Sequence, residues 1–311
     1  MSRRPLFVCL VESSASSTSI ARYAAALARH HRADLHFVRT VPDRSLEAST
    51  LSPGPSMLPL PSLGTGVRVR TGTLRGDPRK VVPAYATLKR ADLVIIDRDH
   101  GAPRRRGRVA GTLARAMTCP VLIVPTQQLE TKVEPSGRFR EIVCAVDFTL
   151  ASAVAMRAAL DFAVESAGGL SLLHVVDVAR QMLFPSGEAG RLLSDQRPRA
   201  YEVSARLWRE VPVAARRWCH VRPVVITGPV AAGILNLTAE VQADLIVLGV
   251  APRSALKRTL LGSTSGVVLR DAPCSVLMLS VPDGAQPWSE DLGGVRREAT
   301  RHDHIERSLP V

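Results

Sequence analysis

The sequence predicts an α/β protein built as two tandem doubly wound domains, each with a mostly parallel sheet of about five strands. Three observations predict it. Segments beginning at Pro5 and Arg140 follow one plan at a constant offset of 135: Val8-Cys9 matches Val143-Cys144, and Glu12 matches Asp147. The runs DLVII, PVLIV, DLIVL and SVLML are apolar throughout, as strands buried on both faces are. Alanine-rich segments of helical character alternate with the strands, and parallel strands alternating with helices wind into such sheets.

Each half opens on a valine-rich strand (PLFVCLV, REIVCAV), turns through Ser/Thr, and runs an Ala-rich helix into a second strand. The halves then part. Residues 42–66 of the first half hold prolines and glycines that exclude a long helix. Residues 186–218 of the second are mostly helix-forming, with Pro198 and Pro212 expected to interrupt them. Further on, Gly76 and Gly228 precede RADLVIID (90–97) and QADLIVLG (242–249) by equal spacings, and TCPVLIVP is echoed by PCSVLMLS. The polar stretch TQQLETKVEPSGR joins the halves. The expected division is a first domain at 1–127, a linker at 128–138, a second domain at 139–282, and a polar tail at 283–311. The tail has no apolar period and is expected to be disordered; its His302 and His304 read as solvated.

A chain of 311 residues, 46% hydrophobic, is too long for one ordinary core and sufficient for two. Its apolar runs fall short of the roughly 18 residues of a membrane helix, so no membrane partner is expected. The opening MSRRPLFVCLVESS lacks a small-residue cleavage site and reads as a first strand. Cys9, Cys119, Cys144, Cys219 and Cys274 are odd in number and without CxxC spacing. They are expected to be buried small residues in a reducing cytoplasm, not disulfides or a zinc site. The formal charge of +13 is almost all arginine, since Lys80, Lys89, Lys132 and Lys257 are the only lysines. It predicts attraction to polyanions at low salt. Aromatics make up only 4%, too few for the stacking platforms of a single-strand binder, so specific nucleic-acid recognition is not expected.

The chemistry concentrates in GVAPRSALKRTLLGSTSG, residues 249–266, which follows an apolar strand. Gly249 allows a close backbone approach to a ligand at a strand end. Gly262-Ser263-Thr264-Ser265 starts a helix, presenting unpaired N–H groups and hydroxyls to an anion. Arg253, Lys257 and Arg258 can neutralise phosphate charge, and Asp147 on the neighbouring strand end can accept bonds from a ribose or base. Doubly wound sheets hold ligands at such carboxyl ends, where strand order reverses. Plainer readings stand beside these: Ser263 as an N-cap, Gly249 as a turn residue, Asp147 as a helix cap, His174 as a core or strand-surface residue. No nucleophile with a paired base and no metal-ligand spacing occurs, so neither a catalytic residue nor a metal site is expected.

The order Gly249, two residues, Pro252, nine residues, Gly262-Ser263, together with Asp147 in CAVD, resembles the universal stress protein family. Its nucleotide-binding members carry Gly, two residues, Gly, nine residues, then Gly followed by Ser or Thr, with an Asp ending the first strand. The resemblance spans about residues 4–126 and 139–281. It implies an adenine nucleotide alpha hydrolase-like fold and halves that meet through the last strands, 121–125 and 276–280. It also implies ATP or a related adenine nucleotide, with Mg, in the second half at Asp147, Gly249, Pro252, Gly262, Ser263, Thr264 and Ser265. The role implied is regulatory, in stress response, with at most slow ATP hydrolysis; a protein partner and a homodimer stay open. Pro252 departs from the pattern and removes one N–H, a loss of about 1.5–3 kcal/mol for a charge-assisted bond, or one to two decades of affinity.

The first half departs further. Aligned on CPV, the Gly-Ser position falls on Gly107-Arg108 and Asp97 takes the place of Gly249. A rival register runs from Gly101 to Gly111-Thr112. Glu12 replaces the Asp, and Arg104, Arg105, Arg106 and Arg108 are expected to form an exposed basic loop at a retired site. The alternative to nucleotide binding is an interaction scaffold of the same fold. Nucleotide-using enzymes of related α/β superfamilies would need an SGGxDS-like or HxGH-like motif, which VESSAS and VDFTLA lack.

Overall fold

The computed structural model describes residues 3–11, 16–42, 51–52, 66–98, 108–125, 137–177, 196–250 and 263–281. Among the described residues eleven strands form one continuous sheet. In the first half they are β1 (Leu6–Leu10), β2 (Asp34–Val41), β3 (Leu51–Ser52), β4 (Val69–Arg75), β5 (Leu93–Asp97) and β6 (Val121–Val124). The second half supplies β7 (Glu141–Ala145), β8 (Gly169–Val176), β9 (His220–Thr227), β10 (Leu245–Val250) and β11 (Ser275–Ser280). The order across the sheet is β3-β4-β2-β1-β5-β6-β11-β10-β7-β8-β9.

Within each half the long strands pair in parallel, as continuous apolar runs require. The halves join where β6 and β11 pair antiparallel, with Leu122 opposite Leu277. The contact through the last strands is therefore as the resemblance implied, and it joins the mostly parallel sheets of the two halves into a continuous one. The reason is that β6 and β11 each offer an apolar edge whose backbone groups must be paired, and pairing with each other satisfies both.

The helices are α1 (Ser16–His30), α2 (Pro78–Lys89), α3 (Arg108–Ala116), α4 (Leu150–Ser166), α5 (Gln196–Glu210), α6 (Val230–Glu240) and α7 (Ser263–Asp271). Strand side chains alternate between the sheet's two faces. Phe7, Cys9, Leu122, Cys144, Val247 and Leu277 share one core with α1 and α4. Val8, Leu10, Val121, Val143, Ile246 and Met278 share the other with α2, α3, α6 and α7. Each core runs unbroken across both halves.

The repeat is visible in backbone detail. Arg32 and Ala167, 135 residues apart, both take positive φ (50° and 48°) just after α1 and α4. Gly76 and Gly228 do so ahead of α2 and α6 (114° and 142°), a conformation that favours glycine. Pro198 is a correction to the sequence reading. It lies in the first turn of α5, where a missing N–H breaks no helical bond, and so does not interrupt the helix. Pro212 does follow its end. Cys9, Cys144, Cys219 and Cys274 are buried and Cys119 is half-buried, and none of the five is in a disulfide.

Candidate functional site

The second half reverses its strand order between β7 and β10, whose last paired residues are Cys144 and Val247. Asp147 lies three residues past Cys144, and Gly249 two past Val247. Both therefore sit at the carboxyl edge where a doubly wound sheet takes its ligand. Helix α7 connects β10 to the parallel strand β11, so its N-terminus, Ser263, returns to this same edge. Thr264 and Ser265 are half-buried in its first turn. The helix starts at Ser263 itself, so Ser263 is its first residue and not the cap that precedes it. Pro252, Gly262, Arg253, Lys257 and Arg258 lie outside the described residues, as do Glu12, Gly101, Gly107 and Arg104 to Arg106. Of Ser263 and Arg108 only the backbone is described.

Gly249 has a more specific reason than a turn. A Cβ built there would overlap the carbonyl of Ala151 and stand 2.7 Å from the nitrogen of Ser152. The backbone that approaches this glycine is thus the first turn of α4. The close approach at Gly249 is made by the chain itself, not by the ligand that the sequence reading had in view.

Asp147 leads into that same turn. Its Oδ1 accepts bonds from the Thr149 hydroxyl at 2.6 Å and the Thr149 N–H at 3.1 Å. Thr149 is the residue that caps α4, accepting from the Ser152 N–H at 3.3 Å. Partial desolvation pulls the Asp147 pKa up, but the hydroxyls of Thr149 and Ser152 and the Thr149 N–H outweigh it, leaving the pKa below the ordinary value. The group is an ionised acceptor at neutral pH that holds the capping residue Thr149 and is not itself the cap of α4.

Two residues here, Phe148 and Arg206, escaped the sequence reading, and they cluster with His174. Phe148 takes positive φ (60°) beside Asp147. Its ring lies 5.0 Å from that of His174 and 3.8 Å below the guanidinium carbon of Arg206 on α5. His174, half-buried on β8, is held by Nδ1 hydrogen-bonded at 2.8 Å to the Val146 carbonyl, as a strand-surface residue with a defined tautomer. No short-range pattern links these positions; β7, β8 and α5 bring them together.

The first half tests the alignment directly. Asp97 pairs with Val124 as Gly249 pairs with Leu279, so Asp97 does hold the place of Gly249. Helix α3 starts at Arg108, matching Ser263 of α7, whereas Gly111-Thr112 lies inside α3. The strand-anchored register is the right one. Helix α1 lies much less closely on β5 than α4 does on β10, as a side chain at Asp97 requires. Asp97 and the next residue, Arg98, are buried. The Arg98 guanidinium donates at 2.7 Å to the Ala272 carbonyl, just past the end of α7 in the other half.

Comparison with known proteins agrees with the twofold plan. The model of the universal stress protein family matches residues 6–125 and again 138–280. A universal stress protein of Methanocaldococcus jannaschii is 28% identical over 145 residues, 46% of this chain and 84% of that protein. The crystal structure of a universal stress protein from Archaeoglobus fulgidus superposes with a TM-score of 0.64 at 16% identity, covering 90% of this chain and 97% of the other. A Pseudomonas aeruginosa protein of unknown function superposes with a TM-score of 0.55 at 17% identity, over 89% of this chain and 92% of its own. Among the described residues no helix is long and apolar enough to cross a membrane.

Proposed function

Because the chain belongs to the universal stress protein family, we propose that it is a cytoplasmic regulatory protein of stress response that binds ATP or a related adenine nucleotide at one site, in its second half. The observation that carries this reading is the asymmetry between matched positions. Gly249 stands at the carboxyl edge of β10, where the first half has the buried side chain of Asp97. In this proposal Asp147 accepts from the ribose or base. The N–H groups and hydroxyls of Gly262, Ser263, Thr264 and Ser265 hold the phosphates at the start of α7, with Mg bound alongside. Gly249 and Pro252 shape the loop between. The donor set fits such a ligand: an ionised acceptor on one strand end and a hydroxyl-rich helix start on the next. No residue at this edge is assigned a catalytic role.

A second reading, the nucleotide-free scaffold, has one observation in its favour. Asp147 Oδ1 already accepts two bonds from Thr149; the sequence adds Pro252, which has no N–H to offer. Titration calorimetry with ATP separates the two. One site per chain is expected in the parent and in Gly107→Asp, with binding abolished in Gly262→Asp, where a carboxylate would stand beside phosphate charge. A stoichiometry near two, or equal damage from both substitutions, would overturn the assignment of halves. Absence of heat and of competition by ATP analogues would favour the scaffold.

A further inference from the structure

His30 ends α1, and Glu165, the equivalent position of the other repeat at the same offset of 135, lies one residue before the end of α4. At the seam between the halves these two positions meet. His30 Nε2 lies 3.0 Å from Glu165 Oε1, and His31 Nδ1 lies 3.4 Å from the same oxygen. One ligand atom from each residue lies within 4.8 Å of the other two. The histidine side chains are only 18% and 11% exposed. His30 Nε2, though so near the carboxylate, is buried and makes no hydrogen bond. His31 is clamped edge-on between the rings of Phe7 and Phe162, both centroids 5.8 Å away, which fixes the direction of its Nδ1.

We propose that His30, His31 and Glu165 form a binding site for a divalent transition-metal ion of the zinc class, built across the two repeats. A tetrahedral ion with bonds of about 2.0–2.1 Å sets its ligand atoms roughly 3.4 Å apart, the separation of His31 Nδ1 from Glu165 Oε1. Two imidazoles and one carboxylate leave a fourth position for water or an exogenous ligand. The charge state suits the role. Burial pushes the His31 pKa down to about 4, with His30 adding to the shift, and burial followed by Arg138 lowers that of His30. Each ring in its neutral form offers a nitrogen lone pair to such an ion. Burial raises the Glu165 pKa, with Asp161 adding to the shift and Arg138 opposing it; a cation would reverse that cost. Gly137 makes room for His30, since a Cβ there would lie 2.9 Å from that of the histidine. The sequence could not show this site, because its ligands come from segments far apart along the chain.

The test uses the full chain, stripped with a chelator and titrated with zinc chloride by calorimetry, with melting followed in parallel. The parent should bind an equivalent of zinc that raises its melting temperature. His31→Phe, which keeps the aromatic packing, should lose that equivalent and the shift. Glu165→Gln, at a part-exposed position, should bind it at least tenfold more weakly; it decides the matter if His31→Phe does not fold. The double change His302→Ala with His304→Ala should retain it. Zinc binding and a melting shift unaltered in Glu165→Gln and in folded His31→Phe, or lost in the tail variant alone, would overturn the proposal.

Discussion

Asp97 and Gly249 occupy one structural position in two halves of a continuous sheet: each is the fifth residue of its strand, β5 or β10, and pairs with the neighbouring strand at Val124 or Leu279. Around Asp97 the following chain turns inward as Arg98 and is buried. Around Gly249 the first turn of α4 comes down onto the strand end, into the space a Cβ would fill. The two copies thus differ in how closely the helix after the first strand lies over this strand end.

Gly249→Ala should therefore destabilise the protein by about 1–3 kcal/mol, the usual cost of forcing atoms into a packed site. It should also displace the Asp147–Thr149 turn and weaken nucleotide binding. Chemical denaturation and calorimetry on the variant check both. A fully stable Gly249→Ala protein would show that α4 yields easily and that the close approach constrains nothing.

Leu122 and Leu277 face each other across the antiparallel join and are 1% and 2% exposed. Leu277→Asp places an unpaired carboxylate in a core that both halves share, and should cost several kcal/mol, of order 3–5. Because the core is continuous, hydrogen exchange should accelerate in β1 and β5 as well as in β10. Exchange confined to the second half would mean that the halves are energetically independent.

Arg98→Met should cost roughly 2–3 kcal/mol, since the Ala272 carbonyl at the end of α7 loses a charged donor inside the protein. Denaturation midpoints measure the loss. Nucleotide stoichiometry should stay the same, as Arg98 belongs to the half without the proposed site.

His36 on β2 is buried with Nδ1 at 2.9 Å from the Tyr85 hydroxyl. Burial, then Arg70 and Lys89, push its pKa below the ordinary 6.5, with Asp34 opposing. The unfolded chain therefore takes up a proton at a pH where the folded one does not. Its contribution is intact above pH 6.5 and is lost as pH falls from there through the lower folded value. Stability measured from pH 7.5 to 5 should fall less steeply in His36→Gln than in the parent; parallel curves would remove His36 from the acid response.

What the sequence determined by itself was whatever repeats or recurs over a few residues. Apolar runs such as DLIVL marked strands buried on both faces, the matched blocks at fixed offsets marked two copies, and the Gly-Ser cluster at 262–263 marked the start of α7. The strand anchor even placed Asp97 against Gly249 and Arg108 against Ser263 correctly. Each of these follows from local periodicity and turn chemistry, which hold wherever the segment is placed. The merging of the halves into one sheet, the helix that fills the space over Gly249, the Phe148–His174–Arg206 cluster and the meeting of His30 with Glu165 were decided by tertiary structure alone. They depend on which edges pair and where packed helices end in space, and the contact of residues as far apart as His30 and Glu165 is not written in local periodicity or turn chemistry.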